Sequence, residues 1–448
     1  MTHPSSLDCR EADLPRRGLG RHQFALLILA GLSAGCGANQ SNPLDSLPEA
    51  GVGRVVYDAE VRLGLDSGSL DVQTTLHFMA GQSAEKQIRL LLNRALQIRE
   101  LDGSGVVSYR VVESEFSPLW SLVEVELHES PAPGTTTSLR LSYGGRPDFP
   151  PDGINGISPD WVELNLDSQW FPTVATLDHE MVGDLQVRLP QDWQVASAGA
   201  TGFDLGAHTI RNRIPQVDLA FTAAPSFQLV TGERFTIYFL QEADRRSAST
   251  TLAAADNCAQ YLNARYGVRD AFPGGRLVLA NRQGPGYARK NYIVLSEVDP
   301  DQAEGLHYFL CHEIAHYWTR SAGARSPHHW MTEAFAEYAA AMYLRDRFGQ
   351  SAFDQRRSQW EAMGRSHGPI WTPETTGRAS FFIMYRKAPY LLSQLEDRLG
   401  AEQFGRFFER YMVEHIRTTT ELLENLALIA GTEAEQWFRG ELARQPPR

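Results

Sequence analysis

Cys311-His312-Glu313-Ile314-Ala315-His316-Tyr317-Trp318 carries the pattern H-E-x-x-H. On a helix, His312 and His316 stand four residues apart on one face, one turn above the other. Two imidazoles so placed can share one metal ion, with Glu313 beside them to handle a proton of water. The pattern also occurs by chance in helices that bind nothing. Its meaning therefore depends on whether the chain supplies a third ligand, an oxyanion stabiliser and a cleft.

A catalytic zinc takes three protein ligands and keeps one position open. Downstream, Trp330-Met331-Thr332-Glu333-Ala334-Phe335-Ala336-Glu337-Tyr338 opens a second helical pattern, roughly 331 to 348, that stops at Gly349. It offers Glu333 as the third ligand and Glu337, one turn later on the same face, as a carboxylate that orients a ligating histidine. Two such glutamates alone more often mark a solvated face. Here they open an Ala-rich, apolar helix shortly after the two histidines, which favours ligands. His328 and His329, in the connector, could reach the cleft, but read rather as surface residues of a loop.

Outward from these helices, the chain changes period once. From 54 to 240 it alternates by two: Tyr57, Ala59, Val61, Leu63 and Leu65 against Asp58, Glu60, Arg62 and Gly64, then Leu70, Val72, Thr74, Leu76 and Phe78. Half-buried antiparallel strands read this way, and Gly-, Pro- and Asp-rich turns separate them. After about 242 the spacing is helical. A helix over 247–266 ends at Gly267, strands at 276–280 and 292–296 flank a linker over 281–291, the H-E-x-x-H helix covers roughly 303–320, and further helices run over 388–399, 401–415, 419–430 and 432–443. The expected fold class is α+β. A saddle- or sandwich-like antiparallel β domain (54–240) precedes a mainly helical domain (241–448).

The N-terminus reads as an export signal over 1–35. Arg16, Arg17 and Arg21 precede a short apolar run, Phe24 to Leu32, and Leu32-Ser33-Ala34-Gly35-Cys36 resembles a bacterial lipobox. That resemblance implies cleavage before Cys36, a lipid on its thiol, and a flexible tether over 36–53. Gly37, where an Asp often retains lipoproteins at the inner membrane, leans towards an outer-membrane anchor facing the periplasm. Of the other cysteines, Cys9 leaves with the signal. Cys258 and Cys311 either pair in the exported compartment or remain as two buried thiols. With 42% hydrophobic and 21% charged residues and a net charge of −12, the 448-residue chain is ordinary globular material, and it has no basic run suited to nucleic acid.

H-E-I-A-H-Y-W followed by W-M-T-E-A-F-A-E-Y resembles the membrane alanyl aminopeptidase family of gluzincin metallopeptidases, whose pattern is H-E-x-x-H-x-W and then W-x-N-E-G-F-A. Gln169-Trp170-Phe171-Pro172 looks like that family's N-terminal sheet domain, Tyr385-Arg386-Lys387 like its Y-x-K signature, and Glu435-Gln436-Trp437-Phe438 like the end of its thermolysin-like domain. The resemblance implies one zinc ion per chain held by His312, His316 and Glu333, a peptide substrate, Glu313 as general base towards a metal-bound water, and Tyr385 as oxyanion stabiliser. Without it, Tyr385 reads as a packing tyrosine.

The chain also departs from the family pattern. The connector from His316 to Glu333 is shorter. The family's G-x-M-E-N, whose Glu binds the substrate's α-ammonium group, is met by Gly284-Pro285-Gly286-Tyr287-Ala288-Arg289-Lys290-Asn291, which has no carboxylate. Gly286, Tyr287, Ala288 and Arg289 are then the candidate substrate contacts. Glu163, eight residues before Phe171, is a candidate second amine-binding acid, against the alternative of a solvent-facing strand residue. Three functions remain open on the sequence: a lipid-anchored zinc peptidase, exo- or endo-acting, a catalytically silent peptide-binding or envelope-assembly lipoprotein on the same scaffold, and a zinc hydrolase acting on a non-peptide bond.

Overall fold

The computed structural model describes residues 53–446 apart from 82–84, 178, 285, 297, 320–325 and 415. The signal segment, Cys36 and nearly all of the tether lie outside the described residues. Ser46–Arg448 forms one compact unit.

The period-two region folds into three sheets as its alternation requires. Arg54–Gly64 pairs antiparallel with Ser69–Met79, from Val55 opposite Phe78 to Gly64 opposite Ser69. Tyr57, Ala59, Val61, Leu70, Val72 and Leu76 point into one core with Leu90, Val123, Leu141 and Trp170. On its other side, Arg54–Gly64 pairs in parallel with Glu180–Arg188, the one parallel ladder among the described strands of this half. A seven-stranded sheet results, with two four-stranded sheets beside it.

A five-stranded sheet carries the second half. Gly275–Ala280 is its centre, parallel to Phe235–Phe239 and Tyr292–Ser296, with Gln228–Thr231 and Tyr287–Arg289 antiparallel at the edges. Both faces are covered, which is why these strands read as continuous apolar runs. Leu277, Leu279, Ile293 and Leu295 face the helices. Val278, Ala280, Tyr292 and Val294 meet Ala196, Ala224 and Phe227 from the β half. The 281–291 stretch, expected as a linker, contributes the edge strand Tyr287–Arg289, folded back on Tyr292–Val294 through Lys290 at φ +53°.

Seven α-helices complete the described fold: α1 Arg245–Tyr266, α2 Ala303–Ala315, α3 Trp330–Phe348, α4 Gln350–Gly364, α5 Ala388–Val413, α6 Thr419–Ala430 and α7 Thr432–Leu442. α4 was not anticipated. α5 turns at Gly400, whose φ of 75° falls where the sequence separates two helices. Thr418 and Glu421 close a capping box on α6. α2 stops sooner than the sequence suggests. Beyond Ala315 the backbone tightens, with Tyr317 and Trp318 amides bonding Ile314 and Ala315 carbonyls at 3.0 Å. The two rings anchor there, Tyr317 Oη on Asp270 Oδ1 at 2.7 Å and Trp318 Nε1 on the Asp270 carbonyl at 2.9 Å. Cys258 of α1 and Cys311 of α2 form a disulfide, Cα atoms 5.4 Å apart. Among the described residues, no helix is long and apolar enough to cross a membrane.

Candidate metal and catalytic site

α2 and α3 pack side by side and bring His312, His316 and Glu333 together. Nε2 of His312 and Nε2 of His316 are 3.1 Å apart, and each is 3.5 Å from Oε2 of Glu333. Ligand atoms about 2.05 Å from a tetrahedral ion stand about 3.3 Å from one another, so these side chains already have the spacing of zinc ligands. Glu333 Oε2 is buried with no hydrogen-bond partner. A buried carboxylate oxygen facing two imidazole nitrogens at this spacing fits a cation.

The surrounding groups fix these donors. His316 Nδ1 lies 3.0 Å from Thr319 Oγ1; as donor to that hydroxyl, Nδ1 leaves Nε2 deprotonated and able to ligate. His329 Nε2 lies 3.1 Å from Glu333 Oε1. A carboxylate only accepts, so this nitrogen carries the proton. The surface reading of His329 is thereby corrected: it is packed against the metal-ligand candidate one turn ahead. His328 instead bonds Thr419, through its Nδ1. Glu337 Oε1 faces His312 Nδ1 at 3.7 Å, just beyond hydrogen-bond reach, while its Oε2 accepts from the Tyr308 hydroxyl and Arg386 lies 3.8 Å away.

The electrostatics follow from burial and crowding. Burial works against ionising Glu333, yet the His316, His312 and His329 rings hold its carboxyl well below the usual range. Burial pushes His316 down to about 4. Burial pushes Glu313 up to about 7, Glu333 adding to the effect and His312 and Arg289 opposing it. Burial takes Glu337 to about 7 as well.

Tyr385 sits on a π-helical turn, Ile383–Lys387, just ahead of α5. Its ring stacks on His312 with centroids 5.7 Å apart and on Phe381 at 4.5 Å. Burial and the Glu333 and Glu313 carboxylates raise its hydroxyl well above the ordinary tyrosine range, so it stays protonated. Lys387 anchors the turn by donating to the carbonyls of His367, Gly368 and Arg444 at 3.0, 2.7 and 2.8 Å. Gly364 of α4 lets the turn approach, since a Cβ there would lie 2.8 Å from Lys387 Cα.

The upstream candidates divide. Gly286 leads into the edge strand, its Cα closely backed by the Val294 carbonyl. Ala288 packs on the helical core and Tyr287 on the joint between the halves. Arg289 is 14% exposed and donates from Nε to Asp218 at 2.7 Å. Glu163 is neither solvent-facing nor available. It is fully buried and gripped by Arg282 Nε and Nη2, each at 2.7 Å, with Trp161 Nε1 at 3.1 Å.

No protein-family model matches the sequence, and no curated protein matches it. Solved structures do. The chain is similar to an M1 zinc metallopeptidase from Deinococcus radiodurans, at 18% identity over 90% of this chain and 97% of that one, with a TM-score of 0.67. A mutant of that enzyme bound to a Tyr-Ser-Ala substrate matches at 18% identity over 88% and 94%, with a TM-score of 0.65. Native leukotriene A4 hydrolase from Saccharomyces cerevisiae matches at 13% identity over 89% and 68%, with a TM-score of 0.70. At these identities the likeness is one of architecture: this chain has the α+β fold of the M1 zinc metallopeptidases.

Proposed function

We propose that the chain is an exported, lipid-anchored zinc metallopeptidase. The observation that carries this reading is the mutual spacing of His312, His316 and Glu333, with the Glu333 oxygen left unpartnered between the two imidazoles. These three residues hold the ion. When bound, zinc polarises a carbonyl and lowers the pKa of water from 15.7 to about 7.

The protein's own groups do the rest. Glu313, next to His312 and half-buried, accepts a proton from the attacking water as its oxygen bonds to the peptide carbonyl carbon. The same carboxyl passes that proton to the amide nitrogen as the C–N bond breaks, releasing an amine and a carboxylate. Burial, which raises this carboxyl in the metal-free site, favours its holding a proton between the two transfers. The Tyr385 hydroxyl, protonated, donates to the oxygen on which charge develops. His329 orients Glu333, and Glu337 lends its charge to His312 across 3.7 Å. A peptide substrate is supported by the fold and by the Tyr-Ser-Ala bound to the Deinococcus enzyme.

Export is supported by the N-terminal pattern around Cys36 and by the Cys258–Cys311 disulfide, a bond that persists in oxidising compartments. Lipid on Cys36 anchors the protein, with the outer membrane favoured. A second reading, a catalytically silent peptide-binding lipoprotein, is favoured by one observation: the carboxylates nearest the edge strand, Glu163 and Asp218, are both committed to arginines. Zinc content and cleavage of a mixed peptide library, read by mass spectrometry, separate the two. Stoichiometric zinc with products that vanish in Glu313→Gln supports the peptidase. Zinc with no cleavage sinks it, and absence of zinc binding sinks both.

A further inference from the structure

The edge strand Tyr287–Arg289 packs along α2. It brings Arg289 close enough to Glu313 to pull on that carboxyl. The guanidinium is held in place at this strand. Nε donates to Asp218 Oδ2 at 2.7 Å, Nη1 donates to the Ala288 carbonyl at 3.0 Å, and the group lies over the Tyr287 ring at 4.9 Å from its centroid. Asp218 is fully buried and also takes the Leu166 amide at 2.8 Å, which fixes the pair. Arg289 Nη2 has no acceptor among the described residues, and the side chain keeps 14% of its surface exposed. A planar fork held at one end leaves its remaining donors for an acceptor from outside the protein.

The neighbouring buried acids are already paired with arginines or belong to the metal site. Glu163 has both oxygens taken by Arg282. Asp218 gives Oδ2 to Arg289 and to the Leu166 amide, and its Oδ1 is shut away from solvent. Asp167, whose charge also bears on Arg289, is exposed to solvent. Glu313 and Glu333 belong to the reaction and the metal. A free α-ammonium group placed beside Arg289 meets a like charge, and the nearest buried carboxylate, Asp218, already carries that charge's ion pair.

We propose that Arg289 is a specificity-determining residue of this site: it receives a carboxylate of the substrate, an Asp or Glu side chain flanking the scissile bond, and the site selects against a free α-amino group there. The proposal rests on reading the His312–His316–Glu333 cluster as a hydrolytic site, but the two can fail separately.

The test uses the full chain, purified in detergent and loaded with zinc. Matched peptides carry Glu or Gln at each position flanking one bond, with the N-terminus free or acetylated. Cleavage and competitive binding are measured on the same set. The expected result is a preference for Glu over Gln of roughly ten-fold, the scale of one charge-assisted hydrogen bond. It should lie in KM and Kd, persist on acetylated peptides, collapse in Arg289→Gln and return in part in Arg289→Lys. Equal handling of Glu and Gln peptides, or cleavage that requires a free α-amine, overturns the proposal while leaving the peptidase reading intact. Preferential binding of the Glu set without cleavage, lost in Arg289→Gln, supports the subsite and removes the peptidase reading. Should Arg289→Gln fail to fold because Asp218 loses its partner, the Glu/Gln comparison in the wild-type chain and in Arg289→Lys decides.

Discussion

Replacing His329 by alanine takes away the donor 3.1 Å from Glu333 Oε1 and leaves all three metal-ligand candidates in place. The bond matters because Glu333 has two oxygens and only one of them, Oε2, faces the imidazoles at 3.5 Å. With Oε1 tied to His329, the carboxylate holds that orientation before any ion arrives. Untied, it is free to turn, and its Oε1 loses the partner the fold provides. A hydrogen bond to a charged acceptor contributes about 1.5–3 kcal/mol. At about 1.4 kcal/mol per decade, His329→Ala should raise the zinc dissociation constant roughly 10- to 100-fold, the range seen when outer partners of metal ligands are lost. Competition with a chromophoric chelator at fixed pH measures it, with circular dichroism to confirm folding. His329→Gln, which keeps an N–H donor, should recover part of the loss. Wild-type zinc affinity in His329→Ala would count against the assigned role. So would equal weakening in the Ala and Gln variants, since bulk alone would then explain it.

Three further outcomes are expected. Replacing Cys258 and Cys311 together with alanine opens a loop of sequence separation 53 and should lower the unfolding free energy by ~2–4 kcal/mol, read by denaturant titration of the zinc-free chain. Gly364→Ala forces the Tyr385 turn outward, because the added Cβ meets Lys387 backbone at 2.8 Å; kcat should fall at least ten-fold (an order-of-magnitude expectation for lost oxyanion stabilisation) while zinc content stays stoichiometric. The third concerns pH. Burial raises Glu337 from an ordinary 4.5 to about 7, so the folded, metal-free chain binds a proton there that the unfolded chain has released. Its stability should therefore fall as pH rises from 4.5 to 7, by up to ~3 kcal/mol from this group. Glu337→Gln should remove that decline, stabilising the chelated protein at pH 8 and changing little at pH 4; an identical pH profile for both proteins would show that Glu337 is not the cause.

What the sequence makes legible here is local, and what it hides is not. His312 and His316 lie one turn apart, and Glu333 and Glu337 repeat that spacing on α3, so helical geometry alone puts each pair on one face. Strand alternation in Arg54–Gly64 and Ser69–Met79 is equally local. α4 escapes because the residues it buries are few, Ala352, Phe353, Trp360 and Gly364, on an otherwise charged segment; its place is decided by what it packs against, Tyr338 and the Tyr385 turn. The Cys258–Cys311 pairing stays open in the sequence because two buried thiols and one buried disulfide leave the same apolar pattern. The arginine–acid pairs span 119 residues for Arg282 and Glu163 and 71 for Arg289 and Asp218, beyond any periodicity. His329 is the instructive exception. It lies four residues before Glu333, a helical spacing present in the sequence, and is hidden only by taking the connector as loop up to Trp330. The residues that make the ion's cage are thus written in short-range spacing. Those that set the cage's stiffness and the charge of the substrate's path are written mainly in contacts between segments far apart in the chain. The metal-ligand motif can therefore persist in this chain while the charges around it are set elsewhere, by Asp218 and Arg282 as much as by the strand on which Arg289 stands.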